Sequence, residues 1–178
     1  FPGLEIVDDC PALDTVVVPI GGGGLIAGVA VAVKSQLPDA RVVGVQAAGA
    51  ASAAASLAAD ERVELDRVDT IADGIATRSV GERPLAVMRE YVDEVVTVDD
   101  REIALAVTLL LERAKTLVEG AGAVALAATL SEAFSYDDDE TVVAALCGGH
   151  ADLNRLATLV RRGPLQTGRC RPSTVGRQ

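Results

Sequence analysis

Four consecutive glycines, Gly21 to Gly24, stand between a β-branched segment and an apolar segment that ends at Pro38. This pattern predicts a strand, a glycine loop and a helix. A backbone without side chains lets a ligand approach closely and can turn successive N–H groups into one concavity. The positive end of the following helix dipole adds to the attraction, so the junction is suited to binding a phosphate.

Three phosphate-binding patterns compete for this loop. A P-loop needs Lys followed by Ser or Thr after its last glycine, and aliphatic residues follow here instead. The dinucleotide pattern is met loosely by Gly22, Gly24 and Ala27, but the expected acidic residue is missing because the next strand ends at Gln46. The third pattern is a cradle for one compact phosphate monoester, such as the 5′-phosphate of pyridoxal phosphate. A strand-to-helix turn without a ligand also stays open.

Length and composition limit the class of protein. The 178 residues, 49% of them hydrophobic, can bury the core of one domain. No membrane span and no signal peptide are visible, so a cytoplasmic location is expected. The net charge of −10 argues against a nucleic-acid partner. Cys10, Cys147 and Cys170 lack metal or disulfide spacing, so no metal is expected, and Phe1 in place of Met suggests a fragment.

The order of strands and helices predicts an α/β fold with an open, mainly parallel sheet and helices on both faces. One domain is expected over residues 1–163 and a mobile tail over 164–178. The predicted elements are a strand at 15–20, a helix at 25–37, a strand at 41–46, a helix at about 50–59, a short strand at 70–73, a helix at 84–92, a strand at 94–98, a helix from Asp99 to Leu117, a helix at 121–133, a strand at 141–146 and a closing helix from Asp152 to Gly163.

Four sequence blocks at or near predicted loops resemble the fold-type-II pyridoxal-phosphate enzymes, most closely the threonine and serine ammonia-lyases (dehydratases) and their serine racemase relatives. The blocks are Val17–Gly28, Thr70–Ala76, Val118–Ala123 and Cys147–His150, in this order. The resemblance covers about residues 3–163. It implies the large-domain part of the tryptophan-synthase-β-like fold and the C-terminal part of the catalytic domain.

The resemblance also implies a set of cofactor contacts. Backbone groups of one loop would hold the phosphate of pyridoxal 5′-phosphate, namely Gly21, Gly22, Gly23, Gly24 and Leu25. Cys147 would face the pyridine nitrogen, and a thiol there would leave that nitrogen largely unprotonated, which suits β-elimination. Gly74 and Glu119 would line the pocket. Two plainer interpretations stay open: Cys147 as a small buried residue at a strand end, and Glu119 as an exposed acid at a helix end.

Several residues depart from the family pattern. His150 stands where the family usually has Asn. Gln46 and Ser52 occupy positions at which racemase-type members have acidic metal ligands, so no metal is expected there. The family's Schiff-base lysine lies in an N-terminal segment, and neither Lys34 nor Lys115 matches it. No catalytic residue is therefore assigned within this chain.

We therefore expect part of a pyridoxal-phosphate-dependent threonine/serine ammonia-lyase, which deaminates L-threonine or L-serine to a 2-oxo acid and ammonia. The substrate would be a small amino acid, and the partner would be a second copy or a complementing N-terminal part. The isolated chain is expected to be inactive. The alternative is a non-catalytic truncated product that binds a phosphorylated small molecule or a partner chain.

Overall fold

The computed structural model describes residues 1–131 and 133–149, and four strands within them form one sheet. The strands are β1 Thr15–Pro19, β2 Arg41–Ala47, β3 Glu94–Val98 and β4 Val142–Ala144. Their order in the sheet is β3-β2-β1-β4, and every neighbouring pair is parallel. Because all four strands run in one direction, their last residues share one side of the sheet, which we call the carboxyl edge.

The described residues also contain helices that connect these strands. The α-helices are α1 Pro2–Asp9, α2 Gly24–Gln36, α3 Ser52–Ala59, α4 Glu82–Tyr91, α5 Asp100–Leu109 and α6 Gly120–Leu130. Two 3₁₀ turns occupy Ala48–Ala50 and Asp73–Ile75, and a π-helical turn occupies Leu110–Ala114. None of the helices in this part of the chain is long and apolar enough to cross a membrane.

Alternate residues of β1 pack against opposite layers of helices. Val16 and Val18 belong to a buried cluster with α1, α2 and α4. Val17 belongs to a second buried cluster with α5 and α6. All three side chains are completely buried, as expected of a parallel strand covered on both faces. The predicted α/β fold, an open parallel sheet with helices on both faces, is confirmed.

The helix predicted from Asp99 to Leu117 begins as expected but ends early. The Asp99 carboxylate accepts hydrogen bonds from the backbone of α5, and the Glu102 carboxylate accepts one from the Asp99 amide, forming a capping box. The helix then widens into the π turn, and Lys115 follows with a left-handed φ of 56°. Leu117 is 44% exposed. The apolar spacing predicted too long a helix, because the chain leaves the helical path before Leu117 and Val118 is the residue that packs in the core.

No strand forms at the predicted position 70–73 in the described residues. The backbone amide of Ile71 donates to the carboxylate of Asp100 rather than to a neighbouring strand. The amide of Ala72 donates to the hydroxyl of Thr70. Because side chains satisfy this backbone, the segment needs no place in the sheet.

Three other element bounds differ from expectation. The helix predicted at 50–59 is divided between a 3₁₀ turn and α3, the helix predicted at 121–133 ends at Leu130, and the strand predicted at 141–146 is reduced to Val142–Ala144. The closing helix at 152–163 and the tail at 164–178 lie outside the described residues.

Candidate functional site

The glycine loop joins β1 to α2 at the carboxyl edge. Gly23 precedes α2 with a left-handed φ of 89°, and a Cβ atom there would lie 2.8 Å from Cβ of Pro84. Both the backbone conformation and the close contact require glycine at this position. The carbonyl oxygen of Gly23 accepts a 3.1 Å hydrogen bond from the Ala27 amide, which begins the helix.

Two other glycines of the loop border open space. Gly22 and Gly24 are exposed, and a Cβ atom built on either one meets no atom within 4 Å. The fold therefore leaves the surface beside them clear, next to the unpaired N–H groups and positive dipole end of α2. A compact anion such as a phosphate monoester fits this arrangement.

The back of the loop rests on the segment that leads into α4. A Cβ atom on Gly21 would lie 3.2 Å from Cα of Ile75. The Gly81 amide donates a 3.0 Å hydrogen bond to the carbonyl oxygen of Gly22. The supporting roles of Ile75, Gly81 and Pro84 were not predicted from the sequence, whose local signal is a Gly and a Pro three residues apart at the start of a helix.

Gly74 and Glu119 lie together, although they are distant in the sequence. A Cβ atom on Gly74 would lie 3.2 Å from Oε1 of Glu119 and 3.0 Å from Cβ of Ala121. Glu119 is half-buried at the start of α6. Its amide donates a 3.2 Å hydrogen bond to the carbonyl oxygen of Gly148. Glu119 is therefore an acid at a helix end, as in the alternative interpretation, but it is half-buried rather than exposed.

Cys147 follows β4, which lies beside β1. The pair is in parallel register, with Val17 opposite Ala144, and the next amide, that of Ala145, donates to the carbonyl oxygen of Val17 at 2.9 Å. The parallel pairing places Cys147 at the same edge as the glycine loop. Cys147 and Leu25 line one groove of about 350 Å³ beside α1. Within this chain Cys147 is exposed, in contrast to the buried strand-end alternative.

The Cys147 thiol is electrically neutral under ordinary conditions. Although the side chain is exposed, neighbouring atoms partly desolvate the thiol, and this raises its pKa above the usual value for cysteine because desolvation disfavours the thiolate. A neutral thiol can share a weak hydrogen bond with a ring nitrogen, as donor or acceptor, without placing a charge beside it.

Gln46 is completely buried behind the loop and makes backbone contacts in two directions. Its Oε1 accepts hydrogen bonds from the amides of Ala53 at 2.8 Å and Ala54 at 3.1 Å. Its Nε2 donates to the carbonyl oxygens of Ala50 at 3.1 Å and Ile20 at 3.5 Å. The amide thereby joins the start of α3 to the residue that precedes the glycine loop. No group of three or more His, Cys, Asp or Glu residues suited to a metal occurs in residues 1–131 and 133–149.

Each lysine of the chain contacts an acceptor that is not among the predicted site residues. Lys34 Nζ lies 2.8 Å from the carboxylate of Asp93, which immediately precedes β3 and therefore marks the opposite edge of the sheet. Lys115 Nζ donates a 2.7 Å hydrogen bond to the carbonyl oxygen of Glu112 and is exposed. His150 lies outside the described residues.

Comparison with known proteins identifies the family of this chain and proteins that share its fold. Residues 2–148 match the family model "Pyridoxal-phosphate dependent enzyme". An L-threonine ammonia-lyase from Geobacter sulfurreducens is 45% identical over 167 residues, covering 94% of this chain and 41% of that protein. The chain therefore spans less than half the length of this relative.

Two solved structures share the fold. The processed form of threonine deaminase isoform 2 from Solanum lycopersicum has a TM-score of 0.85 and 34% identity, and the match covers 92% of this chain and 45% of that one. Maize serine racemase has a TM-score of 0.82 and 35% identity, with 93% and 51% covered. The family match covers nearly all described residues, and it agrees with the shared folds and with the open glycine loop at the carboxyl edge. The chain therefore belongs to the family of pyridoxal-phosphate-dependent enzymes.

Proposed function

We propose that this chain contributes the phosphate cradle and the ring-nitrogen contact of an ammonia-lyase that converts L-threonine or L-serine to a 2-oxo acid and ammonia. One observation carries the proposal: the open glycine loop shares the carboxyl edge with Cys147, while Ile75 links the loop to Gly74 and Glu119. The similarity to an L-threonine ammonia-lyase supports the choice of substrate.

The backbone of Gly21, Gly22, Gly23, Gly24 and Leu25 would hold the cofactor phosphate. Gly22 and Gly24 provide the clear approach, while Gly23 sets the turn that begins α2. The phosphate charge is favoured at this helix end without a cationic side chain. Cys147 lies at the same edge of the sheet, so it would face the rest of a cofactor whose phosphate is held here.

Cys147, Gly74 and Glu119 would form the surroundings of the cofactor ring. Bound pyridoxal phosphate supplies an electron sink that makes the α-proton of an amino acid removable and allows a β-hydroxyl to leave. The neutral thiol of Cys147 would not stabilise a positive charge on the ring nitrogen as a carboxylate would. Gly74 leaves room for the Glu119 carboxylate, which lies between Gly74 and Gly148.

We infer that the base for the α-proton comes from outside these 178 residues, an inference supported by the contacts of Lys34 with Asp93 and of Lys115 with the carbonyl oxygen of Glu112. The test is to co-express this chain with the part of the Geobacter sulfurreducens L-threonine ammonia-lyase that lies outside the matched region. The purified pair should form 2-oxobutanoate from threonine when pyridoxal phosphate is added. The chain alone should form none above the rate with free cofactor.

A Gly22→Val version of the same pair is the matched control, and it should lose activity at low cofactor concentration. Threonine turnover by the chain alone would contradict the assignment of the base. A folded, co-purified pair that binds pyridoxal phosphate but deaminates neither amino acid would instead favour the alternative, a non-catalytic protein that binds a phosphorylated small molecule.

A further inference from the structure

The segment from Thr70 to Ile75 stands between the two halves of the candidate site. At its end, Ile75 backs Gly21 of the glycine loop, and Gly74 adjoins the carboxylate of Glu119. At its start, a Cβ atom on Gly120 would lie 2.9 Å from the carbonyl oxygen of Ile71. The segment is thus wedged against the start of α6, and its position sets the distance between the loop and Glu119.

Asp100 holds the start of this segment. Its Oδ1 accepts a 2.7 Å hydrogen bond from the Thr70 hydroxyl. Its two carboxylate oxygens lie 3.2 and 3.3 Å from the donating amide of Ile71. The Thr70 hydroxyl oxygen in turn accepts a 3.1 Å hydrogen bond from the amide of Ala72. One carboxylate therefore holds the Thr70 hydroxyl and the Ile71 amide directly, and the Ala72 amide through the Thr70 hydroxyl.

The location of Asp100 makes this contact rigid. It is the first residue of α5, directly after the capping-box residue Asp99, and it is half-buried. A carboxylate is favoured at the N-terminus of a helix, and hydrogen bonds to a charged acceptor are stronger than neutral ones. The end of β3 and the start of α5 thereby provide a fixed support for a segment that forms neither helix nor strand at its start.

We propose that Asp100 is a positioning residue for the cofactor ring: through Thr70 and Ile71 it holds Gly74 and Glu119 in register with the glycine loop. This inference rests on the proposed function, because it assumes that the ring lies against Gly74 and Glu119. Asp100 itself does not touch the ring. The phosphate loop has a second support besides Ile75, since Gly81 and Pro84 contact Gly22 and Gly23, and this support does not involve Asp100.

The first test needs no cofactor. Amide hydrogen exchange of the full chain is compared among the wild type, Asp100→Ala, Asp100→Asn and Asp69→Ala. Asp100→Ala should speed exchange at the amides of Ile71 and Ala72 by about tenfold or more, because both lose their ordered acceptor. Asp100→Asn keeps an acceptor oxygen and should restore most of the protection. Asp69 is a neighbouring carboxylate whose side chain is 82% exposed, so its removal should change neither amide.

Protection of the β1 amide of Val17 shows whether each variant keeps the sheet. If Asp100→Ala leaves Ile71 and Ala72 as protected as in the wild type while Val17 is also unchanged, the anchoring role is wrong. If Asp100→Ala loses amide protection throughout the sheet, the Asp100→Asn variant provides the test. An Ile71 amide that exchanges in Asp100→Asn as fast as in an unfolded chain, while the Val17 amide stays protected, would also overturn the anchoring role.

The second test distinguishes binding of the cofactor ring from binding of the cofactor phosphate. Dissociation constants of pyridoxal 5′-phosphate and inorganic phosphate are measured for the same variants. Asp100→Ala should weaken pyridoxal phosphate binding by about fivefold or more and change phosphate binding by less than about twofold. Asp100→Asn should stay close to the wild type. Equal effects on both ligands, or none on either, would overturn the inference. A wild-type chain that binds neither ligand would overturn the proposed function itself.

Discussion

The amide of Glu119 and the carbonyl oxygen of Gly148 are joined by a 3.2 Å hydrogen bond, which connects the start of α6 to the turn after β4. Gly148 has a φ of 131°, and a Cβ atom there would collide with Oε1 of Glu119. The glutamate and the turn that carries Cys147 are therefore one structural unit. Its geometry depends on the absence of a side chain at position 148.

Gly148→Ala should destabilise this unit. A residue with a side chain is strained at this φ, and the added methyl group meets the Glu119 carboxylate, so we expect a loss of about 1 to 3 kcal/mol in the free energy of unfolding. Gly149→Ala is the matched control, since its nearest atom would lie 3.9 Å away. Urea unfolding measures the loss of stability in both variants. An equal loss at the two positions would contradict the contact between position 148 and the Glu119 carboxylate.

Gly22→Val should weaken phosphate-ester binding without harming the fold. The Val side chain would enter space that the protein leaves open, where the ligand phosphate is expected. Affinity for pyridoxal 5′-phosphate should fall at least about tenfold, equivalent to about 1.4 kcal/mol. Gly23→Ala should instead lower the melting temperature, because of its φ of 89° and the contact with Pro84. Unchanged affinity in folded Gly22→Val would mean that the loop is only a turn.

Gln46→Met should be strongly destabilising. It keeps much of the volume but leaves the amides of Ala53 and Ala54 without their buried acceptor. We expect a loss of about 2 kcal/mol or more, since unpaired buried groups each cost about 1 to 3 kcal/mol. Gln36→Met, at an exposed position near the end of α2, should change stability little. Thermal or urea unfolding compares the two, and similar losses would refute the special role of Gln46.

The reactivity of Cys147 should rise at higher pH than that of an ordinary thiol. Partial desolvation disfavours the thiolate and raises the pKa, so the thiolate fraction at any given pH is lower in the folded chain than in the unfolded one. With Cys10 and Cys170 replaced by serine, iodoacetamide reaction rates are measured against pH for the folded protein and for the same variant in urea. A folded-state midpoint at or below the unfolded one would reveal a cationic partner for the thiolate.

Short sequence patterns predicted the structural elements whose hydrogen bonds join residues close together in the sequence. The glycine run before an apolar segment gave the turn into α2, and Asp99 with Glu102 gave the capping box, because their partners lie within one helical turn. The parallel sheet followed from the order of apolar strands. The two central strands, β1 and β2, are buried on both faces, and their almost continuous apolar sequence is the pattern expected of such strands.

Long-range bonds account for what the sequence did not reveal. Thr70 and Asp100 are 30 residues apart, and no local pattern pairs a hydroxyl with a carboxylate at that distance. Apolar spacing to Leu117 predicted more helix than forms, since spacing does not say which residue the tertiary fold buries. The supports of the glycine loop at Gly81 and Pro84 were missed for the same reason.

The most direct test of the site is an amide chemical-shift titration of the ¹⁵N-labelled chain with pyridoxal 5′-phosphate and, separately, with pyridoxal. The account predicts that the phosphate ester shifts the amides of Gly22, Gly24 and Leu25 together with Cys147, and that pyridoxal leaves the glycine loop unmoved. Largest shifts at the opposite edge of the sheet, around Thr15 and Arg41, with the loop unaffected, would contradict it.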